Sequence, residues 1–226
     1  MAGDTKMKMF GLIGGTSWHS TAEYYRNINQ SVKDYFGDNT NPPLLLFNLN
    51  QSLIHHYQKQ DNWSGVADLI IDTALCLQKA FAESMMFCVN TSYKVFETVN
   101  EKLNISIIHI ADATAKAIQC KEITKVCFIG TKFTMEEDFI TSRISKSKIE
   151  VLVPKDSLVI NELHRIIQKE LTFGQIRKSS KEYVLSVLKS MIDMGAEGVV
   201  LGGKEFPLMI SQNDLTVPVF NTTDIH

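Results

Sequence analysis

The chain lacks several features that would assign it to a common functional class. Its 226 residues include four cysteines without CxxC spacing, so the sequence predicts neither a zinc site nor a disulfide framework. The net charge of −2 gives no electrostatic basis for binding nucleic acid or acidic membranes. No stretch approaches the ~20 apolar residues of a membrane helix. We therefore expect a protein of the reducing cytoplasm with no metal, nucleic-acid or membrane partner.

What the sequence contains is an alternation of short apolar runs and longer segments of helical period. Apolar runs predict strands near 8–13, 43–48, 84–89, 105–110, 124–129, 149–153, 197–201 and 217–220. Segments between them predict helices near 18–36, 63–82, 91–102, 111–119, 134–146, 157–172, 180–194 and 204–210. Such alternation is typical of α/β proteins, in which helices cover mostly parallel sheets.

Two serines are placed to begin helices. The spacings Ser20-x-x-Glu23 and Ser179-x-x-Glu182 match the capping box, in which the serine oxygen accepts a hydrogen bond from the first turn. We therefore expect Ser20 and Ser179 to be N-caps.

The chain also repeats itself. The segment 13–16 (IGGT) resembles 128–131 (FIGT) at an offset of about 115 residues, and 82–87 resembles 196–201 at a similar offset. We expect two related Rossmann-like α/β halves with about four strands each, formed by residues 1–106 plus 207–226 and by 107–206. Because ligands of parallel sheets bind beyond the carboxyl ends of the strands, the site is expected in a cleft between the halves.

The first repeat offers a thiol where the second offers glycine. Cys88 ends an apolar run and precedes Val-Asn-Thr. Its counterpart is Gly202, or Gly203 with a slip of one residue. Neither alignment provides a second thiol. The glycine pair Gly14-Gly15 does not match the GxGxxG dinucleotide fingerprint, so nucleotide binding is not favoured.

The sequence resembles the cofactor-independent aspartate/glutamate racemase family. The segments that carry the resemblance run in the same order over nearly the whole chain: 11–18 (GLIGGTSW), 88–91 (CVNT), 108–114 (IHIADAT), 130–135 (GTKFTM) and 198–205 (GVVLGGKE). The resemblance implies two pseudo-symmetric four-stranded halves and a homodimer. It also implies a small dicarboxylic amino acid or similar acid as ligand, and neither pyridoxal phosphate nor metal.

In that family, two cysteines flank the substrate α-carbon, one removing the α-proton and the other returning a proton on the opposite face. The first cysteine falls on Cys88. The second belongs to a Gly-Cys-Thr-Glu motif, which reads here Gly202-Gly203-Lys204-Glu205. Gly203 stands in place of the second cysteine and Lys204 in place of the threonine. Ordinary two-base racemisation is therefore expected to be impaired.

The resemblance also implies substrate contacts from polar residues that follow the strands, namely Thr16, Ser17, Asn90, Thr91, Thr131, Thr134 and Met135. Hydroxyl and amide groups at these places can donate hydrogen bonds to a carboxylate. The alternative for the Asn and Thr residues is helix capping.

Cys88, Lys204 and Glu205 each have two interpretations. Cys88 is a general base if the following helix N-terminus lowers its pKa, or else a small buried apolar residue. Lys204 is a replacement acid/base group if buried, or else a group that pairs with a carboxylate or faces solvent. Glu205 would support the second cysteine, which is missing here. Two functions remain: a racemase-family enzyme with one-base chemistry at Cys88, or a catalytically degenerate protein that binds a small acid.

Overall fold

The computed structural model describes residues 7–37 and 39–226. The chain divides into two compact units, Met1–His109 and Ile110–His226. Each unit contains a four-stranded sheet in which all neighbouring strands are parallel. The α/β class with two four-stranded parallel sheets is thereby confirmed.

The first unit has the strand order β2-β1-β3-β4. Its strands are β1 (Phe10–Gly14), β2 (Leu44–Asn48), β3 (Ser84–Phe87) and β4 (Ser106–Ile108). Its helices are α1 (Trp18–Phe36), α2 (Gln51–Lys59), α3 (Trp63–Lys79) and α4 (Phe96–Asn100), with a 3₁₀ segment at Asn90–Val95.

The second unit repeats this arrangement with the order β6-β5-β7-β8. Its strands are β5 (Lys125–Gly130), β6 (Glu150–Leu152), β7 (Gly198–Gly202) and β8 (Val219–Asn221). Its helices are α5 (Ile110–Gln119), α6 (Lys132–Glu136), α7 (Thr141–Ser145), α8 (Ser157–Lys169), α9 (Lys178–Asp193) and α10 (Thr222–Ile225). Shorter 3₁₀ segments lie at Leu171–Phe173, Phe206–Leu208 and Gln212–Asp214.

The central strands are apolar along their whole length because both of their faces are covered. All five residues of β7 are buried, and so are the last four of β1. Helix α8 shows the complementary pattern, since its buried residues recur every three or four positions at Ile160, Leu163, Ile166 and Ile167. No helix among the described residues is long and apolar enough to cross a lipid bilayer.

All eight predicted strands are confirmed, whereas several helices differ from prediction. Helix α2 was not predicted, because only Ile54 among its nine residues is buried and no apolar period marks it. The helix predicted at 134–146 is two short helices, α6 and α7, since Glu137 adopts an extended conformation between them. The segment predicted as a helix at 204–210 forms only a 3₁₀ turn at Phe206–Leu208.

The predicted domain boundary is wrong at the C-terminal end. Residues 207–226 belong to the second unit rather than the first. The reason is that β8 extends the second sheet by pairing in parallel with β7, with Val199 opposite Val219 and Leu201 opposite Asn221. The chain therefore passes between the units once, at His109–Ile110.

The two predicted capping boxes are also wrong. Helix α1 begins one turn earlier, with Ser17 as its N-cap, so Ser20 lies inside the helix. Helix α9 begins at Lys178 after Arg177, which makes no side-chain capping bond. Ser179 is thus a residue of the first turn.

Candidate functional site

Each sheet reverses its strand order between its two central strands. In the first unit the chain leaves β1 toward β2 and later places β3 on the other side of β1; in the second unit β5 and β7 are related in the same way. Loops that leave such a pair in opposite directions open a crevice at the carboxyl ends of the strands, where parallel sheets bind ligands. The residues after β1, β3, β5 and β7 are therefore the candidate site residues.

The turn after β1 fits glycine alone. Gly15 has φ +92°, and a side chain there would collide with the backbone of Leu49. Its N–H donates to Thr21 Oγ1 at 2.9 Å. Thr16 follows and is 6% exposed. The absence of a Cβ lets the backbone turn sharply and puts Thr16 immediately beyond the strand.

Ser17, predicted as a substrate contact, has a structural role in the protein. Its Oγ accepts a hydrogen bond from the Ser20 N–H at 3.5 Å and caps α1. The capping alternative thus describes Ser17, and its contact with substrate stays a prediction.

Cys88 lies one residue beyond β3. Its N–H donates to the Ile13 carbonyl at 2.9 Å, and its own carbonyl accepts a hydrogen bond from Ser20 Oγ at 2.8 Å. The side chain is 1% exposed and belongs to an apolar cluster with Leu12, Tyr24 and Met86. Cys88 is therefore fixed by its backbone on both sides, and its thiol is shielded from solvent.

Burial raises the pKa of the Cys88 thiol from 9.0 to about 12. A thiolate in apolar surroundings loses the hydration that stabilises its charge, so the neutral form is favoured. Of the two interpretations offered for Cys88, a lowered pKa beside a helix N-terminus disagrees with this direction, and a small buried residue agrees with it. The chain after Cys88 instead begins a six-residue 3₁₀ segment, and desolvation dominates. In the protein without ligand, Cys88 is a thiol at neutral pH.

Asn90 has the clearest unmet hydrogen-bonding capacity at this strand end. Its Nδ2 is buried, and no acceptor among residues 7–37 and 39–226 lies within hydrogen-bonding distance of it. Thr91, partly buried, follows in the same 3₁₀ segment. A buried amide donor without an acceptor costs on the order of 1–3 kcal/mol, so Asn90 is well suited to a ligand oxygen.

In the corresponding turn after β5, the threonine hydroxyls make hydrogen bonds within the turn itself. Thr131 caps α6 by accepting from the Thr134 N–H at 3.4 Å, and Thr134 Oγ1 donates to the Thr131 carbonyl at 2.9 Å. Thr134 is fully buried and Met135 is 5% exposed. The capping alternative therefore describes Thr131, and substrate contacts by these three residues stay predictions.

His164 is a polar residue at this turn that sequence reasoning did not identify. It lies on α8, and its Nδ1 accepts a hydrogen bond from the Lys132 N–H at 3.3 Å. That bond requires an unprotonated Nδ1. Burial, followed by the charge of Lys132, lowers the pKa of His164 below its usual value and favours this form. No local sequence signal could have revealed the contact, because 32 positions separate the two residues.

The carboxyl end of β7 carries glycines instead of a thiol. The repeat of 82–87 in 196–201 matches Cys88 with Gly202, because these residues follow Phe87 and Leu201. A side chain at Gly202 would collide with the Phe128 ring.

Gly203, which the sequence predicts to stand in place of a second cysteine, has φ +152°, a conformation that residues with side chains rarely adopt. A Cβ at Gly203 would lie 3.0 Å from Glu205 Oε2. Lys204 and Glu205 are both partly buried, and each has an interaction partner within the protein. The carboxylate of Glu205 therefore occupies the neighbourhood that a side chain at 203 would enter.

Among the described residues, no three His, Cys, Asp or Glu side chains are grouped so that they could hold a metal ion. The four cysteines are free thiols: Cys76 and Cys120 are exposed, whereas Cys88 and Cys127 are buried.

Comparison with known proteins agrees with this architecture. The sequence model of the Asp/Glu/hydantoin racemase family matches residues 13–226. The structure of a proposed Asp/Glu racemase from Yersinia pestis is 38% identical in sequence and superposes with a TM-score of 0.94, covering 97% of this chain and 96% of that one. An aspartate racemase homologue from Pyrococcus horikoshii is 35% identical, with a TM-score of 0.88 and the same coverage.

A more distant structure shares the fold. The aspartate racemase of Picrophilus torridus is 17% identical and has a TM-score of 0.69, covering 96% of this chain and 89% of its own.

Proposed function

The chain belongs to the Asp/Glu/hydantoin racemase family, and we propose that it binds aspartate, glutamate or a similar small acid at the carboxyl ends of β1 and β3. The observation that carries the proposal is the buried Asn90 Nδ2, which has no acceptor among the described residues. A ligand carboxylate would supply the missing acceptor. Thr16 follows β1, and Thr91 lies in the 3₁₀ segment after β3; both would add hydroxyl donors.

In this proposal Cys88 is the single proton-transfer group. Its thiolate takes the α-proton of the bound amino acid, and the electron pair of the broken C–H bond passes into the carboxylate as an enediolate. The thiol then returns a proton to the same face, so configuration is retained. Thiol protons exchange with solvent, and the α-hydrogen therefore exchanges too.

The raised pKa of Cys88 makes this chemistry dependent on the ligand. In the protein alone, the thiolate is a minor species at neutral pH because its charge is desolvated. The α-ammonium group of a bound amino acid would place a positive charge near the sulfur and lower that pKa. Once formed, a thiolate of high pKa is a strong base, which suits a weakly acidic C–H bond.

We propose that inversion is impaired, because inversion needs a second acid on the opposite face. Gly203, which the resemblance places at the family's second cysteine, has no side chain to supply that proton. Lys204, or a water molecule near Gly203, would have to donate the proton, and Glu205 would then orient the donor.

A second candidate function is binding without turnover. It is favoured by the packing of the Cys88 thiol among Leu12, Tyr24 and Met86. Such packing is as typical of a residue of the hydrophobic core as of a base that is inactive without ligand. In that case Asn90 still binds the carboxylate, while Cys88 contributes only to the core.

Isotope exchange separates the two functions. Each enantiomer of aspartate and glutamate is incubated with the protein in deuterated water, with α-deuteration followed by NMR and configuration by chiral chromatography. Deuteration with retained configuration supports one-base chemistry, whereas inversion shows that a second acid operates. Binding by calorimetry without deuteration establishes the binding protein. If none of the four ligands binds or exchanges, the proposed ligand class is wrong.

We also propose that the protein is a homodimer of the cytoplasm. Resemblance to the family supports the dimer, and four cysteines that form no disulfide are typical of proteins in a reducing compartment. Light scattering after size-exclusion chromatography measures the assembly, and a monomer mass at micromolar concentration would contradict it.

A further inference from the structure

The parallel ladder between β1 and β3 is interrupted at Cys88. The Cys88 N–H donates to Ile13, and in a continued parallel ladder the next bond would run from the Gly15 N–H to the Cys88 carbonyl. Gly15 instead donates to Thr21 Oγ1 at 2.9 Å. The Cys88 carbonyl accepts from Ser20 Oγ at 2.8 Å in a buried contact. Two adjacent side chains of α1 therefore replace one ladder bond, and the strands separate at this point.

The hydrogen bond to the Cys88 carbonyl is the role that accounts for the burial of Ser20. Ser20 is 6% exposed and is not the cap of α1, a role that belongs to Ser17. One turn further along α1, Tyr24 packs in the same cluster as the Cys88 side chain. The first turns of α1 thus contact Cys88 twice, through a hydrogen bond to its backbone and through apolar packing near its sulfur.

The other side of the segment is fixed by Tyr93. Its hydroxyl accepts from the Phe87 N–H at 3.3 Å and donates to the Ile108 carbonyl at 2.9 Å. Cys88 is therefore held between Tyr93 on the preceding residue and Ser20 on its own carbonyl. Because Asn90 lies two residues after Cys88, the contacts that fix Cys88 also constrain the position of Asn90.

We propose that Ser20 is a positioning residue that orients the Cys88 thiol and the Asn90 amide for the ligand. This inference rests on the proposed function for its purpose, although its structural part can be tested without any ligand. Without the Ser20 hydroxyl, the buried carbonyl of Cys88 would need another donor, and the segment 88–90 would shift to find one.

The second unit provides a matched control. Thr222 is 1% exposed, and its Oγ1 donates to the Leu201 carbonyl at 2.9 Å, one residue before Gly202. The chemical bond and its burial are alike in the two units, yet no thiol follows Leu201. Loss of the Thr222 hydroxyl should therefore destabilise a strand end without affecting Cys88.

The test compares Ser20→Ala, Ser20→Thr and Thr222→Val. Alkylation of each cysteine by iodoacetamide in the native protein is followed by mass spectrometry, with the exposed Cys76 and Cys120 and the buried Cys127 as internal references. We expect Ser20→Ala to accelerate alkylation of Cys88 at least tenfold relative to Cys127. Ser20→Thr, which keeps the hydroxyl, should restore protection, and Thr222→Val should leave Cys88 within twofold of wild type.

Equal alkylation of Cys88 in Ser20→Ala and wild type would overturn the proposal. So would equal acceleration in Ser20→Ala and Thr222→Val, because that result describes general loosening. If Ser20→Ala does not fold, the pair Ser20→Thr and Ser20→Val, which differ by the hydroxyl alone, repeats the comparison.

Ligand measurements then test the functional part. For any acid that exchanges, Ser20→Ala should lower kcat for deuteration at least tenfold, and Ser20→Thr should recover it. An unchanged kcat with altered alkylation would reduce Ser20 to a structural residue. If wild type neither binds nor exchanges any acid, the proposed function fails, while the alkylation result still decides whether Ser20 holds Cys88.

Discussion

The sheets of the two units have the same strand order, but different residues stand at their corresponding strand ends. After β3 stand a thiol and an amide donor without an acceptor among the described residues, whereas β7 ends in Gly202 and is followed by Gly203, and after β5 the threonines bond to each other. The sequence repeat pairs Gly202 with Cys88, so the two units differ in the side chains at this place. At these strand ends, the buried side-chain atom of the described residues that lacks a hydrogen-bond partner is Asn90 Nδ2, in the first unit.

The largest expected effect tests whether this asymmetry is chemical. Cys88→Ala should reduce α-deuteration of a bound acid by at least 100-fold, because no other thiol lies at a strand end. The matched control is Cys127→Ala, which removes a fully buried thiol from β5 in the other unit. NMR measures deuteration in both variants. Equal rates in wild type and Cys88→Ala would remove Cys88 from the mechanism.

The second prediction concerns the unpaired amide. Asn90→Ala should weaken binding of the acid about 5- to 100-fold, as expected for one lost hydrogen bond to a charged group. Asn161→Ala serves as the control, since that exposed asparagine of α8 accepts a bond from Lys132 Nζ. Calorimetry gives both dissociation constants. An unchanged value for Asn90→Ala would show that its donor does not meet the ligand.

The third prediction concerns the two buried thiols, Cys88 in the first unit and Cys127 in the second. Burial raises the pKa of both Cys88 and Cys127 from 9.0 to about 12. Between pH 9 and 12 the unfolded chain loses these protons while the native protein keeps them. The free energy of unfolding should therefore fall with rising pH, by about 1.4 kcal/mol per pH unit for each thiol.

Below pH 9 both states hold the proton, and no such slope is expected. Urea denaturation at pH 8 to 10.5 measures the slope, and Cys88→Ala and Cys127→Ala should each remove one thiol's share. A slope unchanged in both variants would contradict the assigned burial.

The fourth prediction concerns a variant that carries a cysteine side chain at position 203. Gly203→Cys with Lys204→Thr should lower the free energy of unfolding by about 1–3 kcal/mol, because φ +152° disfavours any side chain at 203. Gly203→Ala with Lys204→Thr is the control for strain. If the gap limits inversion, chiral chromatography should show faster inversion with cysteine than with alanine. Equal inversion in the two would assign the limit elsewhere.

The smallest expected effect compares two helix exits. Phe81 has φ +70° and is 82% exposed, and its counterpart in the repeat, Gly195, has φ +96°. Phe81→Gly should stabilise the protein by about 0.5–1 kcal/mol, since it relieves left-handed strain and loses little burial. Gly195→Ala should destabilise it by a similar amount. Thermal unfolding measures both, and a destabilised Phe81→Gly would show that the aromatic ring has a contact of its own.

The sequence predicted most of the architecture because short apolar runs such as 197–201, alternating with helical segments, are typical of strands buried on both faces. It missed α2, since that helix buries Ile54 alone and has no apolar period. It also misread Ser20 as a cap. A serine followed three residues later by glutamate satisfies the capping pattern, but the real cap, Ser17, satisfies the same geometry one turn earlier.

By itself the sequence determined the α/β class, the internal repeat and the family, because each depends on the order and spacing of residues. Only the tertiary structure decided that 207–226 belongs to the second unit, that Cys88 is a buried thiol of raised pKa, and that the Asn90 amide donor has no acceptor among the described residues. Desolvation and hydrogen-bond pairing depend on neighbours from distant parts of the chain. The bond from Ser20 to Cys88 spans 68 positions, and local spacing does not encode it.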